Sequence, residues 1–342
     1  MRAACYYGAG DVRIEEVATP VAGQGEVLVR PAFNGLCGTD LHQYLHGPMS
    51  DAPLPIVVGH EFSGEIVDVG ADVKDLKVGN LVAIEPVSPC GGCRPCASGR
   101  YNLCAAGVWT GLTGGGGGIS ELTSVKAGMA HRLPDGVTLR EGALVEPLAV
   151  AYHAVRMSRA TAGEQAVVVG AGPIGIGVYL GLRASGVEDV VVIEPAPERR
   201  AAVAAVGAET VLDPRAVDVT VEVLDRTRGG GVSVVLDAAG VPSGFESALP
   251  MLAAGGRLVI VAAFMEPVAF HPLHVFQREV EILHSFAYCH DFEPVLAHLA
   301  DGRYPSDGWV EVIPAQLLPE AYLRLEKREA IKVLVDVGAG LA

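Results

Sequence analysis

The sequence predicts an α/β protein of two domains, one β-rich and one built on a doubly wound, six-stranded parallel sheet. Residues 1–150 contain short β segments interrupted by proline and glycine, whereas from residue 166 short apolar strands alternate with helical segments. A length of 342 residues also exceeds what a single core usually holds. We therefore expect a first domain over 1–150, a second over 151–289, and a return to the first over 290–342.

Composition excludes several classes of partner. The chain has 25 basic and 40 acidic side chains and a net charge of −15, which repels nucleic-acid phosphates and anionic membrane surfaces. The first residues lack the features of a signal peptide, and no apolar run reaches membrane-spanning length. We expect a cytoplasmic protein with no nucleic-acid or membrane partner. Of its seven cysteines, Cys5, Cys37 and Cys289 should be free or bound to metal.

The first domain contains a candidate mixed-ligand metal site. A strand over 26–33 leads to Cys37 between glycines, and His60 and Glu61 stand between two apolar runs. An inert buried cysteine and a hydrogen-bonded core histidine are the ordinary alternatives. A thiol, an imidazole and a carboxylate together, however, suit zinc.

A second candidate metal site has the spacing C-x2-C-x2-C-x7-C. Four thiolates in a short loop can enclose one ion tetrahedrally, and such a closed shell is typical of structural zinc. An iron–sulfur cluster or a disulfide pair are the alternatives, although common cluster spacings differ from this one. The four residues are Cys90, Cys93, Cys96 and Cys104.

Two further features precede the second domain. Five consecutive glycines, 114–118, favour a loop that allows another surface to approach closely, with a flexible linker as the alternative. Residues 141–155 predict a helix broken or begun at Pro147. Glu146 at its edge is either a partner of the helix dipole or a fourth group of the metal site.

The second domain opens with a dinucleotide-binding pattern. A strand over 166–169 runs into G-x-G-x-x-G, and an apolar helix follows over 176–184. Amide groups and the helix dipole at such a turn can hold a pyrophosphate. The residues assigned to cofactor binding here are Gly170, Gly172, Ile174 and Gly175.

An acidic residue follows at the end of the second strand, 190–194. Glu194 can accept hydrogen bonds from an adenosine ribose and would repel a 2′-phosphate, which favours NAD. Arg199 is a further candidate for cofactor contact, and with Arg200 it keeps NADP as an alternative. Four more strands are predicted over 209–213, 232–237, 256–262 and 280–285, followed by a helix over 292–299 and a closing strand over 331–336.

Taken together, the motifs resemble those of the zinc-dependent medium-chain dehydrogenase/reductase family, and most closely its polyol branch. The resemblance extends over nearly the whole chain and includes C-G-T-D-L-H at 37–42, G-H-E-F-S-G-E-I at 59–66, T-G-G-G-G-G at 113–118 and E-P-L-A-V at 146–150. It implies a GroES-like catalytic domain with two zinc ions, one catalytic and one structural. It also implies a Rossmann domain that binds NAD.

The resemblance further implies the role of each site residue. Cys37 and His60 would bind the catalytic zinc, with Glu61 and Glu146 completing the shell or exchanging within it. Thr39 and His42 would relay the substrate proton, which suits a hydroxyl followed by an imidazole that titrates near neutral pH.

The implied reaction is the reversible oxidation of a secondary alcohol to a ketone. We expect a small alcohol or vicinal diol, with 2,3-butanediol and acetoin as the leading pair, in a homodimer or homotetramer. Sorbitol or another polyol, and then L-threonine, are the alternative substrates. A non-enzymatic zinc protein is the rival class, but the dinucleotide pattern and the acidic charge speak against it.

Overall fold

The computed structural model describes residues 1–341, which divide into two compact units. Unit 1 comprises Met1–Glu146, Phe292–Asp301 and the described residues from Val310 onward, and unit 2 comprises Pro147–Asp291 and Gly302–Trp309. Among the described residues, no helix is long and apolar enough to cross a membrane.

The strands, in chain order, are β1 (Arg2–Gly8), β2 (Asp11–Glu16), β3 (Glu26–Gly35), β4 (Ile56–Val57), β5 (Glu61–Val69), β6 (Leu81–Ile84), β7 (Val87–Ser88), β8 (Val108–Trp109), β9 (Thr123–Lys126), β10 (Ala130–Arg132), β11 (Gln165–Val169), β12 (Asp189–Ile193), β13 (Thr210–Leu212), β14 (Val232–Asp237), β15 (Leu252–Ile260), β16 (Glu281–His284), β17 (Val310–Pro314) and β18 (Lys332–Asp336).

The helices are α1 (Gly38–His46), α2 (Arg94–Ala97), α3 (Leu139–Gly142), α4 (Val145–Ser158), α5 (Pro173–Ala184), α6 (Pro197–Ala205), α7 (Val219–Arg226), α8 (Pro242–Met251), α9 (Leu273–Phe276), α10 (Phe292–Ala300), α11 (Leu318–Glu326) and α12 (Gly338–Leu341), with 3₁₀ turns at Tyr101–Leu103, Ala127–Met129 and Ala315–Leu317.

Unit 1 is built on a seven-stranded sheet that joins the two ends of the chain. Its order is β10-β6-β5-β3-β18-β17, and β9 also pairs with β3. The closing strand β18 lies antiparallel to β3, with Leu334 opposite Gly35. Apolar side chains of β3, β5 and β6, including Val29, Phe62 and Ile84, form one core of this unit. A smaller sheet, β2-β1-β4, completes its β-rich character.

Unit 2 has the predicted doubly wound sheet. All six strands are parallel, in the order β13-β12-β11-β14-β15-β16. This is the order of a complete dinucleotide-binding fold, with the reversal between β11 and β14. The strands are rich in valine and almost fully buried, as expected when helices cover both faces of a parallel sheet.

Several borders differ from those expected. The units divide after Glu146 and after Asp291, and residues 302–309 belong to unit 2. Within this segment, Arg303 donates a hydrogen bond of 3.1 Å to the carbonyl of Ala184 at the end of α5. The helix expected to break or begin at Pro147 begins at Val145, after the separate short helix α3.

Candidate metal sites and dinucleotide site

Three predicted ligands meet at the ends of neighbouring strands. One donor atom each from Cys37, His60 and Glu61 lies within 4.8 Å of the others. The strand β3 ends beside the start of β5, with Gly35 opposite Glu61, and Cys37 follows at the N-terminus of α1. Thiolate, imidazole and carboxylate are donors that zinc accepts, and this group therefore fits a zinc ion.

A carboxylate that the sequence analysis did not single out supports this group. Asp40 is buried, and its Oδ2 accepts a hydrogen bond of 2.9 Å from the amide of Cys37. Its Oδ1 lies 3.3 Å from Nδ1 of His60, which is buried and has no hydrogen-bond partner. Burial acts to lower the pKa of His60, but Asp40 and Cys37 raise it well above its ordinary value. Asp40 thus holds the backbone of Cys37 and places a carboxylate oxygen beside the imidazole of His60.

Glu61 has a buried counterion in Lys332. The Lys332 ammonium contacts Oε2 of Glu61 and donates a hydrogen bond of 3.0 Å to the carbonyl of Leu36. A charged residue in a buried strand requires a partner of opposite charge. The lysine within the apolar run 331–335 was the available sequence signal for this pair.

The predicted relay residues lie on α1. Oγ1 of Thr39 is 3.6 Å from Sγ of Cys37, which places the hydroxyl beside the candidate metal site. His42 lies further along the same helix, and its ring centroid is 4.8 Å from that of the exposed His46. Glu146 is buried in the first turn of α4, but it is not among the three residues grouped around the site. Its ligand role stays a prediction.

The four-cysteine loop forms a second donor group. The sulfur atoms of Cys93 and Cys96 are 3.4 Å apart, those of Cys93 and Cys104 are 3.8 Å apart, and those of Cys90 and Cys96 are 4.0 Å apart. All four are free thiols, and the separations approach the roughly 3.8 Å between corners of a tetrahedral zinc–thiolate site with bonds of about 2.3 Å. Amide groups of Gly92 and Cys93 lower the pKa of Cys90 to about 6. The donor set fits zinc and not a disulfide.

The glycine run makes the predicted close approach. A Cβ atom at Gly117 would lie 2.4 Å from the carbonyl oxygen of Val57, and one at Gly118 would lie 2.4 Å from Oδ1 of Asn34. The amide of Gly118 donates a hydrogen bond to the carbonyl of Gly59, next to His60. The run therefore packs against the segment that carries His60.

The dinucleotide loop has a geometry that requires glycine at two of its positions. Gly170 has φ of 94°, and a Cβ at Gly175 would lie 2.0 Å from the carbonyl oxygen of Gly170. Gly172 caps the N-terminus of α5, where a Cβ would meet only Nη1 of Arg199, at 3.7 Å. Ile174 lies half-buried in the first turn. The loop leaves room beside Gly172, at the N-terminus of α5, for a phosphate group.

Glu194 lies at the carboxyl end of β12. Its Oε2 accepts a hydrogen bond from the amide of Ala171, within the glycine loop, and its Oε1 accepts one from the amide of Ala196, both of 2.8 Å. These bonds fix the carboxylate, which is 4% exposed, beside the loop. The position suits a carboxylate that accepts hydrogen bonds from ribose hydroxyls.

Comparisons with known proteins agree with both halves of the fold. Residues 23–135 match the model of the alcohol dehydrogenase GroES-like domain, and residues 173–301 match that of the zinc-binding dehydrogenase domain. The chain is 36% identical to (R,R)-butanediol dehydrogenase of Bacillus subtilis, over 98% of this chain and 99% of that protein. It is 33% identical to sorbitol dehydrogenase of Bombyx mori, over 98% of both chains.

A solved structure leads to the same conclusion. The crystal structure of 2R,3R-butanediol dehydrogenase from Bacillus subtilis superimposes with a TM-score of 0.92 at 37% identity, over 98% of this chain and 99% of that one. The sequence resemblance and the predicted fold class are confirmed. The chain belongs to the zinc-dependent medium-chain dehydrogenase/reductase family and is a member of its polyol branch.

Proposed function

We propose that this alcohol dehydrogenase interconverts a small vicinal diol and its hydroxyketone, with 2,3-butanediol and acetoin as the leading pair and NAD as cofactor. The observation that carries the proposal is the cluster of Cys37, His60 and Glu61, with the Thr39 hydroxyl 3.6 Å from the cysteine sulfur. A metal-binding group beside a hydroxyl is what the oxidation of an alcohol requires, since its O–H proton must leave along with the hydride.

The chain's own residues supply binding and proton transfer. When bound by Cys37 and His60, zinc acts as a Lewis acid that stabilises an alkoxide. The Thr39 hydroxyl accepts the proton of the substrate hydroxyl as it donates its own proton toward the cofactor ribose and His42, and His42 releases a proton to solvent. Asp40 places a negative charge 3.3 Å from the imidazole of His60, and Lys332 neutralises Glu61. NAD supplies the hydride acceptor, held by the glycine loop and Glu194.

The charges around the metal group favour a neutral substrate. Residues 37–49 contain no lysine or arginine. Lys332 is buried and paired with Glu61, so it is not available to bind the carboxylate of an amino acid. These observations support a diol over L-threonine. They do not separate butanediol from sorbitol, since Thr39 and His42 serve any secondary alcohol. We propose that residues 44–49 and the glycine run make that choice.

A substrate panel tests this proposal. Initial rates of NAD reduction are measured with each butanediol stereoisomer, sorbitol, xylitol and L-threonine, and acetoin reduction is measured in reverse. We expect the highest kcat/KM with one butanediol stereoisomer. If sorbitol or threonine exceeds every stereoisomer tenfold, a difference of about 1.4 kcal/mol in transition-state binding, the butanediol assignment is wrong.

We also propose a homodimer or homotetramer. In the described residues, β16 pairs only with β15 and forms one edge of the unit 2 sheet. Large apolar side chains nearby in sequence are exposed, Phe276 by 75% and Leu273 by 57%. An unpaired edge strand beside exposed apolar side chains is suited to covering by a second copy.

A further inference from the structure

We propose that Asp213 is a determinant of cofactor selectivity, because it neutralises two arginines that would otherwise attract the 2′-phosphate of NADP. The inference rests on the proposed function, in that Glu194 is taken as the residue that receives the adenosine ribose. Asp213 lies at the carboxyl end of β13, which is the neighbour of the strand that leads to Glu194.

Asp213 and Glu194 directly follow the carboxyl ends of two adjacent parallel strands. β12 and β13 pair up to Ile193 and Leu212, and the amide of Glu194 donates a hydrogen bond of 3.0 Å to the carbonyl of Leu212. Each acidic residue is the one that follows its strand. The carboxylate of Asp213 therefore stands next to the segment that carries Glu194.

Two arginines converge on Asp213. Nη1 of Arg200 lies 3.0 Å from Oδ2 of Asp213. The Arg215 guanidinium donates hydrogen bonds of 3.2 and 3.3 Å to the two carboxylate oxygens, and the Arg215 amide donates a third, of 3.0 Å. The hydrogen bonds from Arg215, with the charge of Arg200, lower the pKa of Asp213. Asp213 is thus charged at neutral pH and shared by both cations.

The same arginines contact the backbone that follows Glu194. Arg200 donates to the carbonyl oxygens of Glu194, at 3.1 Å, and Pro195, at 2.5 Å. Arg215 also donates to the carbonyl of Pro195. Both cations therefore lie beside the residue that would meet the ribose. Without a countercharge, they would form the basic pocket that a 2′-phosphate requires.

The net charge of the four side chains predicts that Asp213 disfavours NADP. Arg200 and Arg215 together are offset by Glu194 and Asp213, so the four side chains sum to zero. A 2′-phosphate adds a charge of about −1.5 to −2, which this neutral group does not compensate. Removing the charge of Asp213 leaves a net positive group, in which both guanidinium groups have lost the carboxylate that they share.

The test is the substitution Asp213→Asn, which keeps the size of the side chain and removes its charge. We expect the affinity for NADP and for 2′,5′-ADP, measured by calorimetry, to rise about tenfold, with the affinity for NAD and 5′-AMP changed less than threefold. The ratio of kcat/KM for NADP to that for NAD should rise by a similar factor. Asp213→Glu, which restores the charge, should return the ratio toward that of the wild type.

Asp225→Asn is the matched control. Asp225 is exposed in the last turn of α7, before the chain enters β14 at its amino end, whereas Asp213 follows the carboxyl end of β13. Its substitution removes the same charge. Asp213→Ser provides a second variant if the asparagine form does not fold. A ratio unchanged within twofold in the folded Asp213 variant, or an equal rise in Asp225→Asn, overturns the inference. Failure of the wild-type protein to bind NAD would instead overturn the proposed function.

Discussion

The ammonium group of Lys332 and the carboxylate of Glu61 form an ion pair in which both side chains are at most 2% exposed. Breaking such a pair from one side leaves an unpaired buried charge, which costs about 3–5 kcal/mol. We therefore expect Lys332→Met to lower the urea unfolding midpoint strongly, and Lys332→Met combined with Glu61→Gln to recover most of the loss. Equal unfolding midpoints for Lys332→Met and the wild type would show that the ion pair does not stabilise the fold.

Each donor group should hold its own zinc ion. Elemental analysis of the purified wild-type protein should give two zinc ions per chain, and Cys93→Ser and Cys37→Ser should each give one, because the two groups share no residue. Only Cys37→Ser should lose turnover while it still binds NAD, since its zinc carries the chemistry. A wild-type content near one that does not change in Cys93→Ser would show that the cysteine loop holds no metal.

Thr39 and His42 should act on proton transfer and not on zinc retention. We expect Thr39→Val to lower kcat by about 10²-fold or more, the size usual for a lost general acid–base group, with two zinc ions retained. His42→Gln should lower kcat less and should respond to added imidazole. The matched control is His46→Gln, at the exposed end of α1, which should leave kcat within twofold. Loss of zinc from Thr39→Val would show a structural role instead.

Glu194 should exclude the 2′-phosphate. Its substitution by serine removes a carboxylate that two backbone amides hold beside the glycine loop. We expect the NADP-to-NAD ratio of kcat/KM to rise at least tenfold, through a lower KM for NADP as well as a higher KM for NAD. A ratio that already favours NADP in the wild type would contradict the assignment.

His131 should make the stability of unit 1 dependent on pH. Its Nε2 lies 2.9 Å from Oε2 of the buried Glu85, and its Nδ1 lies 2.9 Å from Oε1 of Glu293 on α10. Burial acts to lower the pKa of His131, but the two carboxylates raise it above its ordinary value. A raised pKa in the folded state means that the stabilisation is complete below about pH 6.5 and is lost as pH rises through the raised pKa.

The variant His131→Gln isolates this contribution. We expect the wild type to have a higher free energy of unfolding than the variant at pH 6. This difference should be smaller at pH 9 by on the order of 1 kcal/mol, the size usual for a hydrogen bond to a charged group. Glu293→Gln, which removes the exposed partner, should show a smaller pH-dependent difference. A constant difference between wild type and His131→Gln at all pH values would contradict this account.

The sequence predicts the structure correctly where the pattern lies within a short stretch of the chain. The six parallel strands, the glycine turn and the four-cysteine loop each follow from residues close together in the chain. Asp40, Lys332 and Asp213 were not assigned roles, because each acts through a contact that no spacing rule predicts, with His60, Glu61 and Arg200 respectively. Lys332 and Glu61 are 271 positions apart. Only the pairing of β3 with β5 and β18 brings these groups to one place.

That pairing also bears on how the protein matures during its synthesis. Because β18 completes the sheet at β3, the ribosome releases the strand that carries Lys332 only after the whole of unit 2. At roughly 5–20 residues per second, the 271 positions from Glu61 to Lys332 take roughly 15–50 seconds to make. The whole of unit 2 is synthesised in that interval, while the nascent metal ligands still lack their counterion. A chain stalled before residue 332 would therefore present a dinucleotide-binding unit joined to an unfinished metal centre.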